Sequence, residues 1–276
     1  MPRYERILPL LGVILMGLGL ILLVERINTL TFAVPLPAGF EARVSIAWLV
    51  LFFLLVVMAI GAEAVRQEAG ESTLAPPATR RLHLHPACWT MPVLVTLSSF
   101  LFLRLLSGVL VRSLGLAVTG FLLLAVLIAQ HYEQDERPGA RNASRLVLEI
   151  AVYLDAFFLY GAIYTVKVRS LLSATSIVVL TFLLAFELLR RLEPRRQVRI
   201  YAALLGLCVG EVTWPLNYWP IGGLLGGAFL LVGFYVLVNL VRDELSGSLS
   251  PRAILAYVLL GLLSMGAIGA SMFWPH

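Results

Sequence analysis

Three ionisable side chains stand inside runs of hydrocarbon: Arg104, Asp155 and Glu211. A charge in a membrane span costs roughly 2.5–3.5 kcal/mol on insertion scales, so it faces protein or water and marks an ion pair, a proton relay or a headgroup site. Counted at about 1.5 Å per residue from the inner helix ends, Asp155 and Glu211 fall near mid-membrane and Arg104 in the outer half. The three predict an intramembrane polar cluster. Such a cluster either fastens three helices by ion pairing or lines a cavity that binds a substrate headgroup or relays protons. Glu149 and Glu187 lie within about one turn of the cytoplasmic face and reach the interface by snorkelling.

The stretch "RLVLEIAVYLDAFFLYGAIYTV" adds Tyr153, Tyr160 and Tyr164, which share one helical stripe with Glu149, while Asp155 points elsewhere. Buried tyrosines need partners for their hydroxyls. A stripe of them suits either the wall of an amphipathic ligand cavity or a hydrogen-bonded seam between helices. Tyr153, Tyr160, Trp214 and Asn217 are the candidates for lining a substrate cavity.

Metal chemistry has one candidate. "RRLHLHPACW" offers His83, His85 and Cys88 within six residues, and the threading below places His131 and Glu133 on the same side of the membrane. Zinc takes such nitrogen, sulfur and oxygen donors. The H-x-H-x-x-C spacing completes no familiar zinc signature, so no cofactor is expected and zinc is the exception the donors leave open. There is no G-x-S-x-G elbow, Walker A loop or H-E-x-x-H, and no paired aspartates of the kind that chelate magnesium. Cys88 and Cys208, far apart in sequence, imply no disulfide framework.

The elements that must position these residues are membrane helices. The chain has 276 residues, 60% of them hydrophobic and only 13% charged, with a mean hydropathy of +0.92. That much apolar surface needs lipid as its solvent. Nine stretches reach the roughly 20 apolar residues that a span requires: approximately 7–24, 46–62, 90–110, 114–131, 146–166, 171–189, 200–218, 221–241 and 253–274. The run from 90 to 131 is too long for one span, so a hairpin turning at Val111-Arg112-Ser113 is expected. Residues 63–89, rich in proline and alanine, read as a flexible cytoplasmic linker within a single integral membrane domain, 1–276.

Charge gives an orientation. With nine spans and a cytoplasmic N-terminus, fifteen basic residues fall on inside segments and five, namely Arg26, Arg43, Arg112, Lys167 and Arg169, on outside ones. Merging the third and fourth helices weakens that asymmetry, so nine helices with the C-terminus outside satisfy the positive-inside rule best. The net charge of +5 therefore records topology and implies no nucleic-acid partner. The first helix, lacking a small-x-small cleavage site, reads as a retained anchor.

"GGLLGG" supplies two overlapping GxxxG pairs, Gly222/Gly226 and Gly223/Gly227, for close helix packing within the chain or against a homo-oligomer or membrane-complex partner. "GEVTWPLNYWPIGG" just before it reads as an outer turn with an aromatic belt of Trp214, Tyr218 and Trp219. There Pro215 kinks or ends the seventh helix and Pro220 starts the eighth. Glu211 lies one turn below the belt. Together with "GGAFLLVGFYVLVNLVRDELSG", this region resembles an uncharacterised family of bacterial polytopic membrane proteins of the green non-sulfur type. The resemblance implies a multi-helix membrane fold with no assigned activity. Function is thus expected in the bacterial cytoplasmic membrane, among membrane lipids, as the handling of a lipid-like or amphipathic substrate. An accessory subunit of a larger complex and a proton- or ion-coupled carrier using Asp155 and Glu211 are the alternatives.

Overall fold

Apolar runs of about twenty residues leave the backbone one economical way to satisfy its hydrogen bonds in lipid, the α-helix. The computed structural model describes residues 4–27, 31–36, 40–69, 86–133, 137–166, 170–190, 195–219 and 221–273. Among these the helices are α1 (Tyr4–Ile27), α2 (Ile46–Ala69), α3 (Pro86–Leu105), α4 (Val109–Tyr132), α5 (Pro138–Val166), α6 (Ser170–Leu189), α7 (Arg195–Asn217), α8 (Gly223–Leu245) and α9 (Pro251–Phe273). Seven are long and apolar enough to cross a membrane, and α3 and α9 carry the shorter apolar stretches Trp89–Leu105 and Pro251–Ala267. The chain is a multi-pass helical membrane protein. Large apolar side chains such as Leu110, Phe121 and Leu263 lie more than 70% exposed on helix surfaces, where lipid is their natural solvent.

A two-stranded antiparallel hairpin, β1 (Thr31–Leu36) and β2 (Phe40–Ser45), joins α1 to α2, with Leu36 opposite Phe40 and Thr31 opposite Ser45. The helical reading of the sequence passed over it. Of the expected linker, residues 70–85 lie outside the described residues, while 63–69 continue α2 and 86–89 open α3.

The expected break at Val111-Arg112-Ser113 is displaced. The chain turns at Leu106-Ser107-Gly108, and Arg112 belongs to the first turn of α4. Gly108 has φ +91°, a conformation that side-chain-bearing residues rarely adopt, so the turn falls at the glycine that opens α4 and not at the arginine. Arg112 closes the corner, its Nε donating to the carbonyl of Leu106 at 2.8 Å. A second boundary moves as well. The helix expected from Pro220 begins at Gly223 with Gly222 as its N-cap, and Pro220 itself lies outside the described residues.

Two compact units divide the chain, residues 1–151 and 152–276. In the first, α1 runs antiparallel to α2, with Gly17 beside Leu54 and Gly61 beside Leu10, and antiparallel to α4, with Gly19 beside Leu116 and Gly120 beside Leu15. In the second, α6 and α7 pack backbone to backbone. A Cβ on Gly206 would stand 2.6 Å from the carbonyl oxygen of Val178, and Gly210 lies beside Ala174. Small residues allow such approach in lipid, where association depends on packing and hydrogen bonds because lipid is as apolar as the side chains.

Candidate functional site

Within the second unit, the tyrosine stripe of α5 ties that helix to three others. Tyr160 and Thr181 of α6 share a hydrogen bond of 2.7 Å between their hydroxyls. Tyr164 donates to the carbonyl of Leu216 near the end of α7. The Nδ2 of Asn239 on α8 approaches the Tyr153 hydroxyl at 3.4 Å, and the Tyr153 ring packs against those of Phe234 and Tyr235. All three hydroxyls are engaged between helices, which is the geometry of a seam. Asp155 is fully buried and interacts electrostatically with Tyr160. Eleven residues separate it from the end of α5, about 16 Å of helix.

Glu211 lies in a different setting, exposed on the surface of α7 along with Leu204 and Leu207, six residues from the helix end. Trp214 is 40% exposed and Tyr218 81%, as belt residues are, and the Nδ2 of Asn217 is buried with no hydrogen-bond partner among the described residues. Pro215 sits inside α7, which ends at Asn217 with the amides of Tyr218 and Trp219 closing three-residue turns onto Pro215 and Leu216.

Arg104 belongs to the first unit. Because α3 ends at Leu105, not near residue 110, Arg104 stands in the last helical turn, where its charge also complements the helix dipole. The guanidinium lies 5.8 Å from the ring centroid of Trp48 and 5.4 Å from that of Phe100. Cation–π contacts of this kind are worth about 0.5–1 kcal/mol at exposed sites.

Of the metal candidates, His83 and His85 lie outside the described residues, as does the side chain of Cys88. His131 stacks edge to face on Tyr132. Among the described residues no three His, Cys, Asp or Glu side chains gather in reach of one ion. The glycines of "GGLLGG" turn toward α5. Gly223 faces Thr165, Gly226 faces the ring of Tyr164, and a Cβ on Gly227 would stand 2.5 Å from the backbone of Gly161; Gly222 meets nothing within 4 Å.

A cavity opens in the first unit, where the end of α1 meets the start of α4. It has a volume of about 410 Å³, inside the range of roughly 300–1,000 Å³ that small-molecule sites occupy. Leu22 and Leu23 of α1 and Leu116 of α4 give it an apolar wall, and Ser107, Arg112 and Ser113 give it a polar side. Sequence reasoning missed this site and counted Arg112 only as a turn residue and a topological charge. The signal that could have found it is "SGVLVRS", a helix stop followed within about one turn by a cation and a hydroxyl.

Residues 27–270 match a protein family, DUF5656, described as a protein of unknown function. The chain belongs to the DUF5656 family. The matched region runs from the last residue of α1 almost to the end of α9, so it carries Arg104, Arg112, Asp155 and Glu211. The α1 wall of the cavity, with Leu22 and Leu23, precedes it. No curated protein and no solved structure matches the chain.

Proposed function

We propose that this DUF5656 protein holds an amphipathic, lipid-like molecule in the bacterial cytoplasmic membrane, with its N-terminus cytoplasmic and the α1/α4 cavity toward the outer face. The observation that carries the reading is the two-sided lining of that cavity, hydrocarbon from Leu22, Leu23 and Leu116 against a polar side of Arg112, Ser107 and Ser113. Pockets of this make-up bury an apolar body and use a few polar groups to fix its orientation. The excess of arginine on the opposite segments supports the orientation.

The test is to purify the full chain in a mild detergent, extract it and identify retained amphiphiles by mass spectrometry. One amphiphile per chain is expected. Leu23 is 56% exposed on the cavity wall, so Leu23→Trp fills the cavity without disturbing the buried core. That variant should lose the amphiphile while keeping its thermal unfolding midpoint. Empty wild-type protein, or equal retention by both forms, would overturn the proposal.

A second reading, an accessory subunit of a membrane complex, is supported by Glu211, a carboxylate on an exposed helix face at membrane depth. Such a group is costly toward lipid and is stabilised by a partner helix offering a donor or a cation.

A further inference from the structure

We infer that the α1/α4 cavity recognises the phosphate of an anionic phospholipid headgroup, with Arg112 as the recognition residue. The inference rests on the reading that the cavity holds an amphiphile and adds the chemistry of its polar end.

Arg112 is planted before any ligand arrives. Its Nε–H donates to the Leu106 carbonyl at 2.8 Å, which orients the planar guanidinium beside the turn at Gly108. The two terminal amino groups make no hydrogen bond among the described residues, and no carboxylate there pairs with them. A fixed guanidinium presenting paired N–H groups matches the oxygens of a phosphate, which it can engage through two parallel bonds. Arginine at the edge of a membrane domain, with no counter-charge among the described residues, favours an anion supplied by the membrane.

The neighbouring groups agree with that charge. The Ser107 hydroxyl lines the cavity beside Arg112 and is exposed. The Ser113 hydroxyl gives its proton to the Val109 carbonyl at 2.9 Å, so Ser107 is the hydroxyl left to donate to a phosphate oxygen. The N-terminus of α4, which has no side-chain cap at Gly108, adds a positive partial charge on the same side. No acidic side chain among the described residues lines the cavity.

Geometry selects a lipid over a free anion. Arg112 stands in the first turn of α4, and Leu22 and Leu23 in the last two turns of α1, so the polar and apolar walls sit where the bilayer passes from headgroup to acyl chain. Leu116, one turn deeper than Arg112, extends the hydrocarbon wall inward. A free phosphate would use only the upper half of this site. A diacylglycerol would use only the lower.

The experiment loads the full chain into nanodiscs containing phosphatidylglycerol, phosphatidylcholine and diacylglycerol, then reads retained lipid by native mass spectrometry after release into detergent. Phosphatidylglycerol should be retained in preference to the other two. Arg112→Gln should lower its retention about tenfold or more, the loss of one charge-assisted contact, and Arg112→Lys by less. Thermal unfolding of each variant separates this effect from misfolding. Should Arg112→Gln fail to fold, the preference between lipids in wild-type protein and the Arg112→Lys response decide alone.

Equal retention of all three lipids, or of phosphatidylglycerol by wild type and Arg112→Gln, would remove the headgroup inference. If Leu23→Trp still emptied the cavity, the amphiphile reading would survive that result. Retention of none by wild type sinks both. Displacement of phosphatidylglycerol by millimolar inorganic phosphate would show a free-anion site and overturn the assignment to lipid.

Discussion

At the scale of single residues, polar side chains here mend places where the helical backbone falls short. The carbonyl of Leu216 shows the logic. In a continuing helix it would accept the amide of residue 220, but that residue is Pro220, which has no amide hydrogen. The amide of Trp219 and the hydroxyl of Tyr164 take its place. Tyr164 is buried at 1% exposure, so losing the hydroxyl leaves part of a buried acceptor unsatisfied with little chance of water entering. Tyr164→Phe should therefore destabilise the protein by about 1 kcal/mol, read as a lower thermal midpoint in detergent. An unchanged midpoint would mean that the Trp219 amide alone suffices. The stripe on α5 was legible from its spacing, because steps of seven and four residues return to one helical face. Its partners were not, since nothing in the spacing of Tyr160 names Thr181, or in that of Tyr153 names Asn239.

At the scale of elements, the second unit depends on backbones brought together by glycine. Gly227 on α8 lies so close to Gly161 on α5 that an added methyl would stand 2.5 Å from backbone atoms, which cannot swing aside as a side-chain tip can. Gly227→Ala should force the two helices apart and lower stability by about 1–3 kcal/mol, the usual range for overpacking. Gly233→Ala, inside α8 with nothing within 4 Å of the added methyl, is the control and should not lower the midpoint. Equal midpoints for both variants would refute the close α5–α8 approach. Helix spans were legible because a membrane demands long apolar runs, a signal that survives without any knowledge of packing. Short elements lack that signal. "TFAVPL" and "FEARVS" carry apolar residues at every second position, yet six residues of alternation between two spans read as loop. The break before α4 was misplaced for a related reason. An arginine in an apolar run looks like an interruption, whereas the local event is Gly108 with its positive φ. The cavity beside it needs α1 antiparallel to α4, and that pairing has no trace in either helix alone.

At the scale of the whole molecule, the open quantity is the number of crossings, and it depends on α3 and α9. Both have the length, 20 and 23 residues, or about 30 and 34 Å of helix. A hydrocarbon core is about 30 Å thick, so each is long enough, but among the described residues each carries a shorter apolar stretch than the other seven helices. If both cross, the side of the membrane alternates at every turn and the two termini lie on opposite faces. If α9 lies along the surface instead, the C-terminus stays on the side of the turn at Gly247. If α3 fails to cross, every segment after it changes side, and the arginines at 190, 191, 195, 196 and 199 move to the face opposite the N-terminus, against the positive-inside rule. Reporter fusions discriminate these cases. Nine crossings predict a periplasmic reporter active after residue 273 and inactive when inserted at residues 134–136 or after Gly247, with a cytoplasmic reporter giving the reverse pattern. Activity at both Gly247 and residue 273, or at neither, would show that α9 does not span. An active periplasmic reporter at 134–136 would show instead that α3 does not cross or that the bundle is threaded the other way, and either would turn the cavity beside Arg112 toward the cytoplasm.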